Sequence, residues 1–431
     1  MPSWTDHAIW WQVYPLGFTG APAAAQAGVR HRLRHLEAWL DYVVELGCSG
    51  LQLGPIFAAE THGYDTVDHF RIDPRLGDDA DFDSLVAEAR RRGLRIILDG
   101  VFNHVGRSFQ ADERWFRKGP DGYEVFEGHP GLVALDHTEP AVRDHVAAVL
   151  NHWLDRGAAG WRLDAAYAVP ASFWREVLPG VRARHPQAWF GGEVIHGDYA
   201  GYVAESGLDS VTQYELWKAI WSSLNDRNLF ELAWALDRHD GLLDTFVPLT
   251  FVGNHDVTRL ATRLENPLHL GHALAVLFTV GGLPSVYYGD EQAFQGLKEE
   301  RAGGDDAIRP EFPAEPGGLA PDGIEVYRLH QRLIGLRRRH PWLVRARTTA
   351  EHLTNTAVAL RSRPRDGGGD RAEIVTLLNL GDQPHHFPIG RADPAEPRHG
   401  VSDPTVVPAH SWSVVTQVTE EVGNSGKSSG R

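Results

Sequence analysis

The sequence is poor in three features that would each assign a class of protein. Its 431 residues include one cysteine, Cys48, which excludes a disulfide framework within the chain and a thiolate metal cluster. Lysine and arginine number 42 against 57 aspartates and glutamates, so the basic footprint that binds a nucleic-acid backbone is missing. No apolar run approaches the ~20 residues that span a bilayer, and no signal peptide is recognisable. We therefore expect a cytoplasmic protein that binds neither nucleic acid nor membrane.

What the sequence does contain is a regular alternation of short apolar runs with helical patterns, up to about residue 343. This alternation indicates a parallel sheet covered by helices, and helical periodicity is clearest over 31–46 and 141–156. Eight strands are predicted, at residues 9–16, 50–56, 94–103, 160–166, 188–194, 210–216, 246–256 and 283–291. Eight such units favour an α/β fold of the (β/α)8 type, a TIM barrel, over residues 1–344.

Three segments depart from this alternation. Residues 105–140, after the third strand, are rich in glycine, proline and charge, and are predicted to form a short excursion above the barrel. Residues 345–419 show short alternating runs separated by turn signals, which predicts a small C-terminal antiparallel β domain, a β-sandwich. The glycine- and serine-rich residues 420–431 are predicted to be a flexible tail.

The fourth strand, "GWRLDAA", carries two charges on one face. Successive side chains of a strand alternate between faces, so Trp161 and Leu163 point one way while Arg162 and Asp164 point the other. An unpaired buried charge costs several kcal/mol, and these two groups therefore neutralise each other or perform a task.

Other predicted strands also end in polar groups, where a barrel enzyme places its catalytic residues. The third strand ends in Asp99, Asn103 and His104, the fifth ends at Glu193, and the seventh ends in Asn254, His255 and Asp256. Taken singly, Asp99 could accept backbone N–H groups, the histidines could be buried core residues, and Arg162 with Asp164 could be a structural ion pair. Several neighbouring strands with the same feature favour one shared site.

Three carboxylates, Asp164, Glu193 and Asp256, are thus predicted to converge at one mouth of the barrel. Cleavage of a glycosidic bond uses such a set, because one carboxylic acid protonates the leaving oxygen and one carboxylate meets the developing positive charge. We expect Arg162 to keep Asp164 ionised and repulsion among the carboxylates to raise the pKa of Glu193.

Four motifs carry a resemblance to a known family. "DGVFNH", "GWRLDAA", "GGEV" and "FVGNHD", in this order, resemble the four sequence regions of the α-amylase family of retaining glycoside hydrolases, glycoside hydrolase family 13. The resemblance covers residues 8–343, and "HGYDTVDHFRIDPRLGD" and "LPSVYYGDE" are similar to further stretches of the family. The chain most resembles the oligosaccharide-acting branch of cyclomaltodextrinases, neopullulanases and α-glucosidases.

The resemblance implies a role for each matched residue. Asp164 would be the nucleophile, Glu193 the general acid and base, and Asp256 the residue that holds and distorts the reacting sugar. The remaining implied site residues are Arg162, His104, His255, Tyr64, which would stack on the sugar, and Asp99, which would support the arginine. Asp65 and Arg259 match residues that contact the non-reducing end of short substrates; their alternative is a surface ion pair. Ala165, after the nucleophile, implies a preference for α-1,4 bonds.

The sequence also departs from the family. The Lys-His pair that follows the nucleophile in calcium-dependent amylases is replaced by "AAYAVP". Asn103 matches a calcium ligand of the family, but partner carboxylates are not recognisable, so no cofactor or metal is expected to be required. The barrel pattern begins almost at Met1, so we do not expect a counterpart of the additional N-terminal domain that supports dimers in cyclomaltodextrinases. The oligomeric state and the use of cyclodextrins are therefore left open.

The expected function is hydrolysis of α-glucosidic bonds in short α-gluco-oligosaccharides through a covalent glycosyl-enzyme. A transglycosylase or sugar isomerase of the same family is the main alternative, because the covalent intermediate can pass to a sugar instead of water. A metal-dependent barrel hydrolase using histidine and aspartate ligands, and a silent sugar-binding homologue, are further alternatives. Retention of all three carboxylates disfavours the silent homologue.

Overall fold

The barrel is closed in the computed structural model, which describes residues 1–24, 28–120, 122–301, 303–365, 373–395 and 403–417. Its eight strands, β1 to β8, are Trp10–Val13, Gly50–Leu53, Arg95–Gly100, Gly160–Leu163, Trp189–Gly192, Ser210–Val211, Leu249–Phe251 and Leu283–Tyr287. All neighbouring pairs are parallel and follow one another around the sheet, with β1 beside β8. A parallel bridge between Thr212 and Leu249 joins β6 to β7 and completes the ring. The TIM-barrel prediction is confirmed.

The helices pack around this ring of strands. They span Pro15–Phe18, Leu33–Glu37, Leu40–Leu46, Asp79–Arg91, Pro140–Asp155, Ala171–Arg184, Tyr199–Ser206, Tyr214–Asn225, Leu229–Leu242, Leu260–Arg263, Leu270–Thr279 and Ile324–Arg339. The single helix predicted over 31–46 is two helices, interrupted at Ala38 and Trp39. Trp39 is fully buried and its indole N–H donates to the carbonyl of Pro313, which fixes the chain at the break. No helix among the described residues has the length and apolarity that crossing a membrane requires.

Residues that follow β3 form the excursion above the barrel. Strand His104–Gly106 pairs antiparallel with Leu132–Ala134, and a smaller hairpin joins Lys118–Gly119 to Gly122–Tyr123. A second two-stranded unit, Phe57–Ala59 with Thr66–Ile72, lies between β2 and β3 in the sequence. Both units follow the carboxyl ends of barrel strands, where the catalytic mouth was predicted.

After the last helix the chain forms antiparallel strands. Strands Arg347–Glu351, Ala357–Arg363, Ile374–Asn379, Ala392–Pro394 and Ser411–Gln417 form one sheet, and His385–His386 pairs with Val406–Val407. The sheet is tied to the barrel, because the hydroxyl of Thr376 donates to that of Thr279 at 2.8 Å. The predicted tail, 420–431, lies outside the described residues.

The alternation within β4 has the predicted orientation. Trp161 is fully buried outside the ring, between Phe57 and Phe102 at ring distances of 5.9 Å, whereas Arg162 and Asp164 face the interior. Cys48 is also buried, and burial raises the pKa of its thiol, as expected for an inert core cysteine.

Candidate active site

Arg162 is the centre of the polar cluster inside the barrel mouth. Its Nη1 donates to both carboxylate oxygens of Asp99, each at 2.7 Å, and to Oδ1 of Asp164 at 3.1 Å. Its Nη2 lies 2.8 Å from Oε1 of Glu193. The register of the sheet explains the convergence, because Arg162 is the partner of Asp99 on β3 and of Gly191 on β5. One guanidinium thus touches three buried carboxylates from three adjacent strands.

Protonation of this cluster differs from the sequence-based expectation. Burial, together with repulsion from Glu193, raises the pKa of Asp164 well above its ordinary value, and the attraction of Arg162 does not compensate. Burial likewise raises the pKa of Asp99 to about 6, despite two hydrogen bonds from Arg162. The expectation was that Arg162 keeps Asp164 ionised; in the structure this one cation is shared among three carboxylates, and the pKa of Asp164 is raised despite it. Arg162 thus offsets the charge of three carboxylates at once, and Asp164 does not have it to itself.

Glu193 is held by groups from two other segments. The backbone N–H of Ala165 donates to its Oε2 at 3.0 Å, and the hydroxyl of Tyr214 donates to its Oε1 at 3.0 Å. Tyr214 in turn accepts a hydrogen bond from the amide of Asn254 at 2.9 Å. Ala165 has a φ of 43°, a left-handed conformation that is rare for a non-glycine residue and marks the sharp turn after Asp164. These contacts fix the Glu193 carboxyl beside that of Asp164.

Asp256 is held from the opposite side of the mouth. Nη2 of Arg309 donates to its Oδ1 at 3.0 Å, and Nε2 of His255 lies 3.0 Å from its Oδ2. Burial alone would raise the pKa of Asp256, but its contact with His255 and the positive charges of Arg309 and Arg162 hold that pKa below its ordinary value. Its side chain is 33% exposed, the most accessible of the three carboxylates. Asp256 is therefore an ionised hydrogen-bond acceptor open to the cleft.

Two aromatic side chains complete the wall beside Asp256. The rings of Tyr64 and His255 stack at 5.4 Å and 4°, and the Tyr64 hydroxyl contacts both Asp99 and His255. Burial lowers the pKa of His255 to about 3, so the imidazole is neutral. Its Nδ1 accepts from the amide of Gln12 at 3.1 Å, which places the remaining N–H on Nε2, facing Asp256. Cyclic hydroxyl-bearing ligands suit such a flat ring beside hydrogen-bond acceptors.

His104 and Asp65 line the same region through the excursion and the unit between β2 and β3. Burial lowers the pKa of His104 to about 4, and the amide of Asn103 contacts its Nδ1 at 3.1 Å. Two buried atoms have no hydrogen-bond partner among the described residues: Nε2 of His104 and Oδ1 of Asp65. Buried polar atoms without a partner carry a cost that a bound ligand removes. Both positions thus agree with the predicted binding role, which stays a prediction.

Arg259 is placed differently from its prediction. It is fully buried, its Nη1 donates to Oδ1 of Asp290 at 2.8 Å, and its guanidinium lies over the ring of Tyr287. Nη2 donates to the carbonyl of Ile308. Arg259 is therefore buried and paired with Asp290, and it does not form a surface ion pair with Asp65. Its role in the structure is to hold the segment after β8.

The burial of Arg259 beside Asp290 predicts how a substitution changes the stability of the protein. An Arg259→Met variant leaves Asp290 buried without its cation, and we expect the free energy of unfolding to fall by about 3–5 kcal/mol. Urea titration followed by tryptophan fluorescence measures this change. Arg328→Met is the matched control, because Arg328 pairs with Glu325 on the exposed surface and such pairs contribute little. A stable Arg259→Met protein with impaired ligand binding would restore the original prediction.

Asn103 is the residue that the family resemblance matched to a calcium ligand. Asn103 contacts His104 through its side chain, and its carbonyl accepts from the N–H of Leu135. In the part of the chain that the structure describes, one trio of histidine and carboxylate groups is close enough to share an ion: His31, Asp78 and Asp81. That trio lies far along the sequence from Asn103, and Arg34 already bonds to Asp81 at 3.0 Å.

Several residues of the site were not found from the sequence. Arg309 stacks over Tyr14 at 4.6 Å and comes from an irregular segment without periodicity. Tyr214 begins a helix one turn beyond β6, where the predicted strand 210–216 had placed it in the sheet. Glu127 and Tyr167 meet across the mouth at 2.6 Å although 40 residues separate them. No local pattern marks these contacts, because each depends on how distant loops pack.

Comparison with known proteins places this geometry in a family. A family model described as "Alpha amylase, catalytic domain" matches residues 12–124 and 108–317 of this chain. The chain is 31% identical over 390 residues to Neopullulanase 2 of Thermoactinomyces vulgaris, across 78% of this chain and 65% of that protein. It is 29% identical over 385 residues to a cyclomaltodextrinase of Geobacillus thermopakistaniensis, across 79% of this chain and 63% of that protein. The chain thus spans a little under two thirds of the length of these relatives.

A solved structure resembles the whole fold. The cyclic alpha-maltosyl-(1→6)-maltose hydrolase from Arthrobacter globiformis, in complex with maltose, is 25% identical with a TM-score of 0.80. The similarity covers 96% of this chain and 100% of that one. The barrel and the antiparallel sheet that follows it therefore have a counterpart in a solved structure of equal extent.

Proposed function

Because the chain belongs to the alpha-amylase family, we propose that it is a retaining glycoside hydrolase that cleaves α-1,4-glucosidic bonds in short α-gluco-oligosaccharides. The observation that carries the proposal is the placement of Asp164 and Glu193 on adjacent nitrogens of Arg162. Retaining glycosidases need two carboxyl groups about 5 Å apart, one ionised and one protonated. Two carboxyl groups held by adjacent nitrogens of one guanidinium support the short separation that this mechanism requires.

In the first step, the Asp164 carboxylate attacks C1 of the sugar while Glu193 gives its proton to the glycosidic oxygen. The C1–O bond to the leaving sugar breaks, and a covalent ester forms between C1 and Asp164. Asp256 accepts hydrogen bonds from hydroxyls of the reacting sugar, and Tyr64 and His255 offer a flat wall beside it. The low pKa of Asp256 supports this role, because a permanently ionised carboxylate is a strong acceptor.

In the second step, Glu193 acts as a base. It removes a proton from water, the water oxygen attacks C1, and the ester bond to Asp164 breaks. The product has the same anomeric configuration as the substrate. Arg162 contacts both reacting carboxyl groups. Its task is to offset the charge that alternates between Asp164 and Glu193, and Asp99 holds it there through both carboxylate oxygens.

Similarity to named proteins supports the choice of substrate. Neopullulanase 2, cyclomaltodextrinase and the cyclic alpha-maltosyl-(1→6)-maltose hydrolase carry names that refer to α-linked glucose compounds. The maltose complex of the last shows that a barrel of this form holds an α-linked disaccharide in that protein. Ala165, the residue after the nucleophile, favours the α-1,4 bond over α-1,6 by its family resemblance. Because two of these names refer to cyclic compounds, the product analysis below includes cyclodextrins.

The test is a product analysis with defined sugars. Purified protein is incubated with linear α-1,4-linked di- to hexasaccharides, α-1,6-linked isomaltose and panose, and cyclodextrins, and every product is identified. We expect shortened α-1,4-linked sugars, and we expect proton NMR to detect the α-anomer first. Initial release of the β-anomer contradicts the retaining mechanism, and rearranged or lengthened sugars as the main products identify an isomerase or transglycosylase. No turnover of any α-glucoside contradicts the proposed activity altogether.

A further inference from the structure

The excursion reaches the catalytic mouth through one short turn, Phe126–Gly128. Within this turn Glu127 has φ 49° and ψ 32°, a left-handed conformation that costs a non-glycine residue about 1–2 kcal/mol. Phe126 stacks on His104 at 4.6 Å and 15°, which anchors the turn to the site wall. A glycine would adopt this backbone without strain, so the glutamate side chain is the feature that the turn presents.

Glu127 meets a residue from the turn after the nucleophile. The hydroxyl of Tyr167 donates to Oε1 of Glu127 at 2.6 Å, a short hydrogen bond to a carboxylate. The backbone N–H of Tyr167 donates to the carbonyl of Glu193 at 3.2 Å, so its position is tied to the proton donor. The hydroxyl of Tyr202 contacts the carbonyls of Ala166 and Val169 and holds the same turn. Tyr167 thus links the excursion, through Glu127, to the backbone of Glu193.

The surface formed by Phe126, Glu127, Tyr167 and His196 has the chemistry of a sugar site. The ring of Tyr167 lies 6.3 Å from Phe126 and 6.1 Å from His196, while Glu127 is exposed. Oε1 of Glu127 is taken by Tyr167, whereas a carboxylate offers acceptor positions on both oxygens. Apolar rings with a few placed hydrogen-bond acceptors are the usual lining of carbohydrate-sized pockets.

The location of this surface assigns it to the sugar that leaves, or to the acceptor that replaces it. Tyr64, His255 and Asp256 contact one another, and the mechanism proposed above assigns them to the sugar that becomes bound to the enzyme. Tyr167 and His196 are attached to the turn after Asp164 and to the segment after Glu193. Glu193 protonates the leaving oxygen, so groups fixed beside it face the sugar that departs or the acceptor that replaces it.

We propose that Glu127, positioned by the hydrogen bond from Tyr167, binds a hydroxyl of the leaving or acceptor sugar and thereby sets substrate length and the ratio of transfer to hydrolysis. This inference rests on the proposed function. In transfer, the acceptor hydroxyl gives its proton to Glu193, its oxygen bonds to C1, and the ester bond to Asp164 breaks, as water does in hydrolysis. Glu127 acts by holding that acceptor, and Tyr167 is a positioning residue.

Donors with and without a leaving sugar separate this role from the rest of catalysis. α-Glucosyl and α-maltosyl fluorides deliver the same glycosyl groups with fluoride as leaving group, so the Glu127 surface is empty in their first step. We expect Glu127→Gln and Tyr167→Phe to lower kcat/KM for maltotriose about 10- to 100-fold, mainly through KM, and to leave kcat/KM for the fluorides unchanged. With added maltose as acceptor, the yield of transfer products should fall in both variants.

Three further variants sharpen the test. Glu124→Gln removes another carboxylate of the excursion, one that pairs with Arg117, and should leave every rate unchanged. Glu127→Gly keeps the left-handed turn without its carboxylate and should reproduce Glu127→Gln with no loss of melting temperature. The double variant of Tyr167→Phe and Glu127→Gln should have a kcat/KM for maltotriose no lower than that of the more impaired single variant, because the two residues act as one unit. Unchanged maltotriose kinetics in Glu127→Gln overturn the inference, whereas failure of the unaltered protein on both donors overturns the proposed function.

Discussion

An Asp164→Asn variant is expected to lose at least about three orders of magnitude in kcat with α-1,4-linked oligosaccharides, because an amide cannot form the ester with C1. The loss should appear with glycosyl fluorides as well, since both donors must pass through the same ester. Asp164 differs in this respect from Glu127, whose removal affects only donors with a leaving sugar. Steady-state rates and product analysis at matched protein concentration measure the effect.

The Asp164→Asn protein should remain folded, and its melting temperature should equal or exceed that of the unaltered chain. Burial and the neighbouring Glu193 raise the pKa of Asp164, so the ionised side chain opposes folding and an isosteric amide relieves that cost. Asp68→Asn is the control, because Asp68 pairs loosely with Arg71 at the surface, at 3.7 Å. Added azide should restore turnover of the fluoride donors and yield the β-glucosyl azide. Near-normal kcat without azide contradicts the nucleophile assignment.

The positions of the three carboxylates could be predicted because strand geometry is local. Alternation along β4 fixes which side chains enter the barrel, and parallel pairing brings the strand ends to one mouth. Arg162 and Asp99 face each other for the same reason, since they are register partners. The order of strands around the barrel follows from the order of βα units. This part of the site can therefore be predicted from the periodicity and spacing of the sequence.

Contacts made by loops could not be predicted in the same way. The family resemblance of "NHDVTR" implied a binding role for Arg259, whereas the arginine that bonds to Asp256, Arg309, is 53 residues away along the chain and had no sequence signal. Arg259 instead pairs with Asp290, because both are buried beneath the segment that follows β8. The protonation of a carboxylate also cannot be predicted from the sequence, since the pKa of Asp164 depends on its burial and on how many acids share Arg162. Each failure concerns tertiary packing of irregular chain, which leaves no periodic signal.

Stability should fall steeply as the pH decreases from about 6.5 to about 4, because the folded protein holds many histidines neutral. Burial lowers the pKa of each to about 3 or 4, against an ordinary value of about 6.5. Eight histidines share this feature: His69, His104, His137, His145, His239, His255, His269 and His330. For a depressed pKa, the stabilising contribution is complete above the unfolded value and is lost as the pH falls towards the folded value.

Buried acids act in the opposite direction but are fewer. Burial raises the pKa of Asp99 and Asp290 to about 6 and of Glu291 to about 7, and raises that of Asp164 as well. A raised pKa contributes stability below the unfolded value and loses it as the pH rises through the folded value, so these groups protect the fold on the acid side. With eight histidines against four acids, the unfolded chain binds about four more protons near pH 5. That difference corresponds to several kcal/mol per pH unit.

The measurement is the urea midpoint from tryptophan fluorescence at half-unit intervals between pH 7.5 and pH 4.5. We expect a maximum near pH 7 and a continuous decline below about pH 6. His330 is fully buried beside Phe278, so His330→Gln should reduce the slope near pH 5 by about 1.4 kcal/mol per unit, the equivalent of one proton. His386→Gln, at an exposed position, should leave the slope unchanged. A midpoint that stays level from pH 7 to pH 5 would show that these histidines are protonated in the folded protein, with their charges compensated in place.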